Sequence, residues 1–270
     1  MTSDVIAFIG GGNMASAILG GLLRAGTPAD RLRVVEPHAP QRDKLAAEFG
    51  IAALAAGDAS LAGAGTVVWA VKPQLFGAAA APLKAWVAGA LQLSVMAGIR
   101  TDALVAATGS ERIVRAMPNT PALIGQGIAG LFARPAVSGD ERARVEQLLA
   151  PTGQTLWVGR EDDLDAVTAL SGSGPAYFFF FVEAMMAAAQ DMGLSAEQGR
   201  RLALATCGGA AALGLASGES PAVLRERVTS KGGTTQAAVM SLQADAVDAA
   251  IRRAVLAAQR RAAELGREFS

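Results

Sequence analysis

Gly10-Gly11-Gly12-Asn13-Met14-Ala15 stands between an apolar run at 5–10 and an amphipathic stretch at 13–24, and gives the pattern G-x-G-x-x-A with Gly10, Gly12 and Ala15 in its small-residue positions. Each position has a physical task. The first small residue allows a tight turn, the second lets the backbone approach a pyrophosphate, and the third lets the helix pack closely on the strand. A phosphate placed there meets exposed amides along Gly10, Gly11, Gly12, Asn13 and Met14, at a helix N-terminus whose dipole favours anions. A glycine-rich turn can also serve chain reversal alone. The strand pattern before it, the helix pattern after it and Glu36 at the end of the second strand pattern argue for the dinucleotide. Glu36 lies 24 residues beyond Gly12, close to the spacing of an acid that hydrogen-bonds an adenosine ribose.

Working outward, apolar runs at 5–10, 32–36, 66–71, 90–96 and 112–117 read as strands, with helical patterns at 13–24, 41–49, 75–87 and 101–107 between them. This alternation implies parallel strands joined by crossovers, a doubly wound α/β sheet. Runs at 127–132 and 155–158 extend it, around a helix opened by Ser138 and Glu141 at capping-box spacing. After about Glu161 the strand pattern stops. Helical patterns follow at 162–170, 175–191, 196–216, 221–228, 234–242 and 245–265, with start signals at Ser195/Gln198 and Ser220-Pro221. The expected organisation is therefore a Rossmann-like domain over 1–160 and an all-α domain over 161–270. Tyr177-Phe178-Phe179-Phe180-Phe181 sets five aromatics on one helix, where at about 100° per residue they point in nearly every direction. Such a helix needs cover on all sides, from a subunit interface or from an intramolecular core.

Composition narrows the function. The 24 basic and 24 acidic residues balance without long runs of one sign, so a nucleic-acid partner is not expected. The stretch 202–216, rich in Gly and Ala, falls short of the roughly 20 strongly apolar residues of a membrane span. Met1-Thr2-Ser3-Asp4 passes into the first strand pattern without the features of a secretory signal, and a cytoplasmic protein is expected. Cys207 and His38 are single examples of their types, so no disulfide, multi-cysteine metal site or histidine-based metal site is expected. Glu36 favours a free ribose hydroxyl and hence NADH, whereas His38, Arg42 and Lys44 offer donors to the 2′-phosphate of NADPH or form an ordinary solvated helix start.

Three further segments, read with the glycine turn, resemble the pyrroline-5-carboxylate reductase family, and together they span most of the chain. The first comprises Ala70-Val71-Lys72-Pro73 and Val95-Met96-Ala97-Gly98, each at the end of a strand pattern, where doubly wound sheets bind ligands. The second, Arg115-Ala116-Met117-Pro118-Asn119-Thr120-Pro121, looks like the family's M-P-N-T-P element, with Asn119 a candidate partner near the nicotinamide. The third pairs Leu170-Ser171-Gly172-Ser173-Gly174-Pro175-Ala176-Tyr177 with Val228-Thr229-Ser230-Lys231-Gly232-Gly233-Thr234-Thr235. In the latter, Lys231 stands where the family commonly has proline.

The resemblance implies a Rossmann domain and a helical dimerisation domain, a homodimer or higher homo-oligomer, and reduction of L-1-pyrroline-5-carboxylate to L-proline with NADPH, NADH also serving. It implies that Thr235 faces the ring nitrogen as the catalytic hydroxyl, that Gly232, Gly233 and Thr234 hold the substrate carboxylate, and that Glu219 lies near the substrate unless it caps the next helix. An imine reductase or a β-hydroxyacid dehydrogenase would share the two-domain plan. Those dehydrogenases place a catalytic lysine on the helix after the boundary, and the helix following Pro175 has none. A non-catalytic dinucleotide sensor would have no need of a second anion pocket at Gly232-Gly233-Thr234-Thr235.

Overall fold

The computed structural model describes residues 5–268; Met1-Thr2-Ser3-Asp4, on which the targeting expectation rested, lies outside them. Strands β1 (Ile6–Ile9), β2 (Leu32–Val35), β3 (Thr66–Trp69), β4 (Leu91–Ser94), β5 (Ile113–Met117), β6 (Gly127–Ala133) and β7 (Gly153–Trp157) form one sheet in the order β2-β1-β3-β4-β5-β6-β7. The first five are parallel, β6 runs antiparallel to β5, and β7 is parallel to β6. Segments such as Thr66-Val67-Val68-Trp69 are apolar and β-branched and are buried throughout, as parallel strands covered on both faces must be. Phe8, Ile18 and Leu93 belong to one apolar layer and Ile9, Trp69 and Leu83 to the other. The chain leaves β1 for β2 on one side and crosses to β3 on the other, so the order reverses at the carboxyl ends of β1 and β3. Open α/β sheets hold ligands at such a reversal.

Helices α1 (Asn13–Arg24), α2 (Ala39–Phe49), α3 (Phe76–Ala80), α4 (Lys84–Val87), α5 (Thr101–Thr108) and α6 (Gly139–Leu149) lie between these strands in the chain. The single helix expected over 75–87 is instead broken by the turn Ala81–Leu83, because Pro82 has no N–H to continue the ladder. Ser138 and Glu141 form the expected capping box. Helix α7 (Asp163–Val167) passes into a π turn, Thr168–Gly172, closed by Ser173 N–H donating to Thr168 O at 2.8 Å, where one continuous helix was expected.

Helices α8 (Gly174–Asp191), α9 (Ala196–Ala216), α10 (Pro221–Arg227), α11 (Thr234–Ala244) and α12 (Val247–Glu268) complete the chain. Two compact units emerge: one holds the sheet, runs to Ser173 and includes the end of α12 from Ala258, and the other is Gly174–Ala257. The change of pattern near 160 therefore precedes the compact division. The reason is that α7 packs on the sheet: a Cβ at Gly130 of β6 would come within 2.6 Å of Val167 Cγ1.

In the second unit α8 and α9 form a hairpin, with Gly199 so close that an added Cβ would lie 2.9 Å from Ala189 Cβ. Ser195 and Gln198 close a second capping box at the start of α9. Few side chains here are buried, and α10 and α11 contribute none. Among the described residues no helix is long and apolar enough to cross a membrane.

Candidate active site

The glycine turn sits at the reversal point and is shaped from three sides. Gly10 has φ +99°, a conformation that L side chains rarely adopt, and an added Cβ would stand 2.6 Å from Ala70 O at the end of β3. Gly11 packs against α2, where its Cβ would fall 2.6 Å from Leu45 Cδ1. Gly12 differs. It is exposed, precedes α1 as its N-cap without any side-chain cap, and a Cβ there would meet nothing within 4 Å. The first bond back along the helix is Ser16 N–H to Gly12 O at 2.8 Å, so the amides at Gly12, Asn13 and Met14 precede the ladder and face an open approach. Here an anion can replace the missing cap.

Glu36 follows β2, and both its carboxylate oxygens are already engaged: Oε2 accepts from Gly11 N–H and Oε1 from His38 N–H, each at 2.9 Å. The acid expected at the ribose thus also ties β2 to the glycine turn, with lone pairs left for a ribose hydroxyl. Gln41 Nε2 of α2 donates to Gly11 O at 2.6 Å. Arg42 gives its guanidinium to Glu36 O at 3.0 Å and Pro37 O at 2.7 Å. Of the three donors singled out for a 2′-phosphate, it is the one committed to the backbone.

Ala70-Val71-Lys72-Pro73 and Val95-Met96-Ala97 leave β3 and β4 beside this turn: Ala70 N–H donates to Ile9 O at 2.8 Å and Val95 N–H to Trp69 O at 3.0 Å. Lys72 is exposed and makes no ion pair among the described residues; Met96 is buried and Ala97 exposed. Asn119, after β5, has its side chain engaged at both ends within the chain. Its Oδ1 accepts from Ile128 N–H at 3.0 Å and its Nδ2 donates to Ser171 O at 3.3 Å. Met117 Cε also comes within 2.7 Å of where a Gly172 Cβ would be, so the Met117-Pro118-Asn119 corner and the π turn are fastened together.

In the second unit, Ser230-Lys231-Gly232-Gly233 is a β-turn, closed by Gly233 N–H to Ser230 O at 3.1 Å with Gly232 at φ +77°. Positive φ at the third residue is the type II arrangement, in which proline is favoured at the second, the place of Lys231. The turn therefore forms without the proline, helped by Gln236 Oε1 accepting from Gly232 N–H at 2.5 Å. Gly233 leads into α11 as an N-cap without a side-chain cap, so Thr234 and Thr235 occupy the first turn, where backbone N–H groups and the dipole suit a carboxylate. Glu219 pairs through both carboxylate oxygens with Arg227 at the far end of α10. The capping role left open for it belongs instead to Ser220, whose Oγ accepts from Val223 N–H at 3.4 Å. Cys207 is free and half-buried, and no group of metal-ligating side chains occurs among the described residues.

Residues 161–265 match the family described as pyrroline-5-carboxylate reductase dimerisation, and residues 5–98 match that described as NADP oxidoreductase, coenzyme F420-dependent. The pyrroline-5-carboxylate reductase of Pseudomonas aeruginosa is 46% identical over 271 residues, covering 100% of this chain and 99% of the relative. A solved pyrroline-5-carboxylate reductase from Coxiella burnetii superposes with a TM-score of 0.91 at 36% identity, over 98% of this chain and 99% of the other. One from Plasmodium falciparum, with NADP bound, gives 0.87 at 27% identity over the same shares. A glycine turn at the reversal point of a doubly wound sheet, followed by a helical unit, defines a dinucleotide-dependent oxidoreductase of Rossmann type. Within that class the relatives are specific: the chain belongs to the pyrroline-5-carboxylate reductase family.

Proposed function

We propose how this chain's residues share the reaction of its family, the reduction of L-1-pyrroline-5-carboxylate to L-proline that ends proline biosynthesis. The observation that carries the assignment is the open N-terminus of α1, where a Cβ at Gly12 would project into space free of protein atoms. The amides of Gly12, Asn13 and Met14 take the pyrophosphate, Gly10 and Gly11 shape the turn, and Glu36 accepts from the adenosine ribose. Ala70-Val71-Lys72-Pro73, Val95-Met96-Ala97 and the Asn119 corner line the way toward the nicotinamide at the carboxyl ends of β3, β4 and β5. A nicotinamide dinucleotide supplies the hydride that saturates the imine carbon.

NADPH serves and NADH serves also. The NADP-bound relative supports the first, while the Glu36 carboxylate favours the second and Lys44 and His38 remain as donors to a 2′-phosphate. In the helical unit, the substrate carboxylate is held at the start of α11 by the amides that precede its ladder, from Thr234 onward, with Gly232 and Gly233, whose own N–H groups go to Gln236 and Ser230, shaping the turn beside it, and the Thr235 hydroxyl donates to the ring nitrogen. The nitrogen either gains its proton from Thr235, which recovers it from water, as hydride reaches the carbon, or carries that proton already when the imine binds. Glu219, held by its ion pair with Arg227, is proposed near the substrate on the resemblance to the family alone. The segment 161–270 is proposed as the dimerisation and substrate-binding part, in a homodimer or larger homo-oligomer of a cytoplasmic enzyme. In support, Phe178, Phe179, Phe180 and Phe181 are each at least half exposed in the single chain.

The experiment is NAD(P)H oxidation with pyrroline-5-carboxylate beside a panel of keto acids and other cyclic imines. Turnover should be fastest with pyrroline-5-carboxylate. A keto acid turned over faster would overturn the reading.

A further inference from the structure

We infer that Gln41 is a positioning residue for coenzyme binding, acting through the peptide that joins Gly11 to Gly12; the inference rests on the reading of the glycine turn as the pyrophosphate site. Glycine at this place is free to rotate, and a free peptide is a poor anion receptor, because its N–H must be ordered each time a ligand binds. The structure removes that freedom with side chains. Gln41 Nε2 donates to Gly11 O at 2.6 Å, and Ser16 Oγ donates to the same oxygen at 3.3 Å. A trans peptide is planar, so the C=O of Gly11 and the N–H of Gly12 point in opposite directions. Holding the oxygen on the side of α2 therefore turns the Gly12 N–H away from α2.

The preceding peptide is held as well, since Gly11 N–H donates to Glu36 Oε2 at 2.9 Å. Gln41 and Leu45 stand four residues apart on one face of α2, and Leu45 Cδ1 occupies the space a Gly11 Cβ would need, at 2.6 Å. One helical face thus supplies both a contact that crowds any side chain at position 11 and the donor that orients the peptide after it. Glu36 and Gln41 leave Gly11 with neither its N–H nor its C=O unengaged, so Gly12 is the first amide of the turn offered to a ligand.

The test is direct titration of NADH and of ADP-ribose, which carries the pyrophosphate without the nicotinamide, against wild type, Gln41→Leu and Gln41→Asn. The leucine keeps the bulk and loses the donor; the asparagine keeps the amide but falls one methylene short of Gly11 O. Both variants should weaken NADH and ADP-ribose alike, by roughly two- to ten-fold for one lost hydrogen bond between neutral groups. Saturating kcat and the KM for pyrroline-5-carboxylate should stay at wild-type values. Unchanged affinity in either folded variant, or a loss shared by kcat and the imine KM, would overturn the inference. Gly12→Val, titrated in parallel, separates the two levels. If it abolishes binding while the Gln41 variants bind normally, only the role of Gln41 falls; if it too binds normally, the glycine turn itself is misassigned.

Discussion

The two units solve the problem of burial in different ways. In the first, helices and sheet cover one another, and Phe8, Trp69 and Leu93 are fully buried. In the second, α10 and α11 bury nothing, and Phe180, Leu215 and Met240 are exposed by 75%, 77% and 60%. At about 25 cal/mol per Å² of apolar surface, four exposed phenylalanines on one helix are a substantial unrealised stabilisation. The sheet unit closes two apolar layers within one chain, although Ile124 and Leu170 stay exposed on it. The helical unit has the surface of a protein core without the other half, and a second copy is the partner of matching chemistry.

That contrast can be broken most severely in the sheet unit. Gly12→Val places a branched side chain at the proposed pyrophosphate site, and should abolish measurable NAD(P)H binding in a protein that still folds, since a Cβ there touches nothing. Fluorescence titration with a circular-dichroism check of folding decides it; tight binding by the folded variant would detach the turn from the coenzyme.

A large loss of stability should follow Glu161→Ala. Arg115 lies almost fully buried on β5, and Glu161 pairs with it at 3.1 Å while also accepting from Thr101 N–H and Oγ1 at 2.8 and 2.7 Å. Removing Glu161 takes from a buried charge the carboxylate hydrogen-bonded to it and leaves only the attraction of Asp165 and Asp162, a cost toward the lower end of about 3–5 kcal/mol. Denaturant unfolding measures it. A cost below 1 kcal/mol would mean that water or another carboxylate replaces Glu161.

In the helical unit the sharpest test is chemical. Thr235→Val removes only a hydroxyl, and losing a hydrogen bond to a charged partner, worth about 1.5–3 kcal/mol, lowers kcat/KM by roughly ten- to a hundred-fold. Coenzyme affinity should not change. Wild-type turnover would leave Thr235 as an ordinary first-turn residue. The smallest effect is expected at Lys231, the second position of the Ser230–Gly233 turn. Lys231→Pro should stabilise by about 0.4–1 kcal/mol through the unfolded chain, read as a raised denaturation midpoint; a lowered midpoint would contradict the type II reading of the turn.

What the sequence disclosed follows the same division. Short-range chemistry was legible: Gly10, Gly12 and Ala15 announced the turn, Ser138/Glu141 and Ser195/Gln198 announced helix starts, and all are found as read. Pro82 broke a helix that the apolar spacing alone ran through, a local signal outweighed by periodicity. Long-range pairings were not legible. Gln41 reaching Gly11, Asn119 spent on Ile128 and Ser171, and Arg227 holding Glu219 join residues whose sequence neighbourhoods carry no trace of the partner. The π turn at Thr168–Gly172 escaped for a related reason: its residues suit an α-helix, and its wider register becomes visible only with Asn119 and Met117 against it.

The claim that the helical unit is completed by a second copy of the chain is tested most directly by sedimentation equilibrium across a dilution series, with activity measured at each concentration. A dimer or larger assembly should persist at assay concentrations, and activity should fall in step with any dissociation. A stable monomer with full activity would contradict it, because the exposed phenylalanines of α8 would then need no partner.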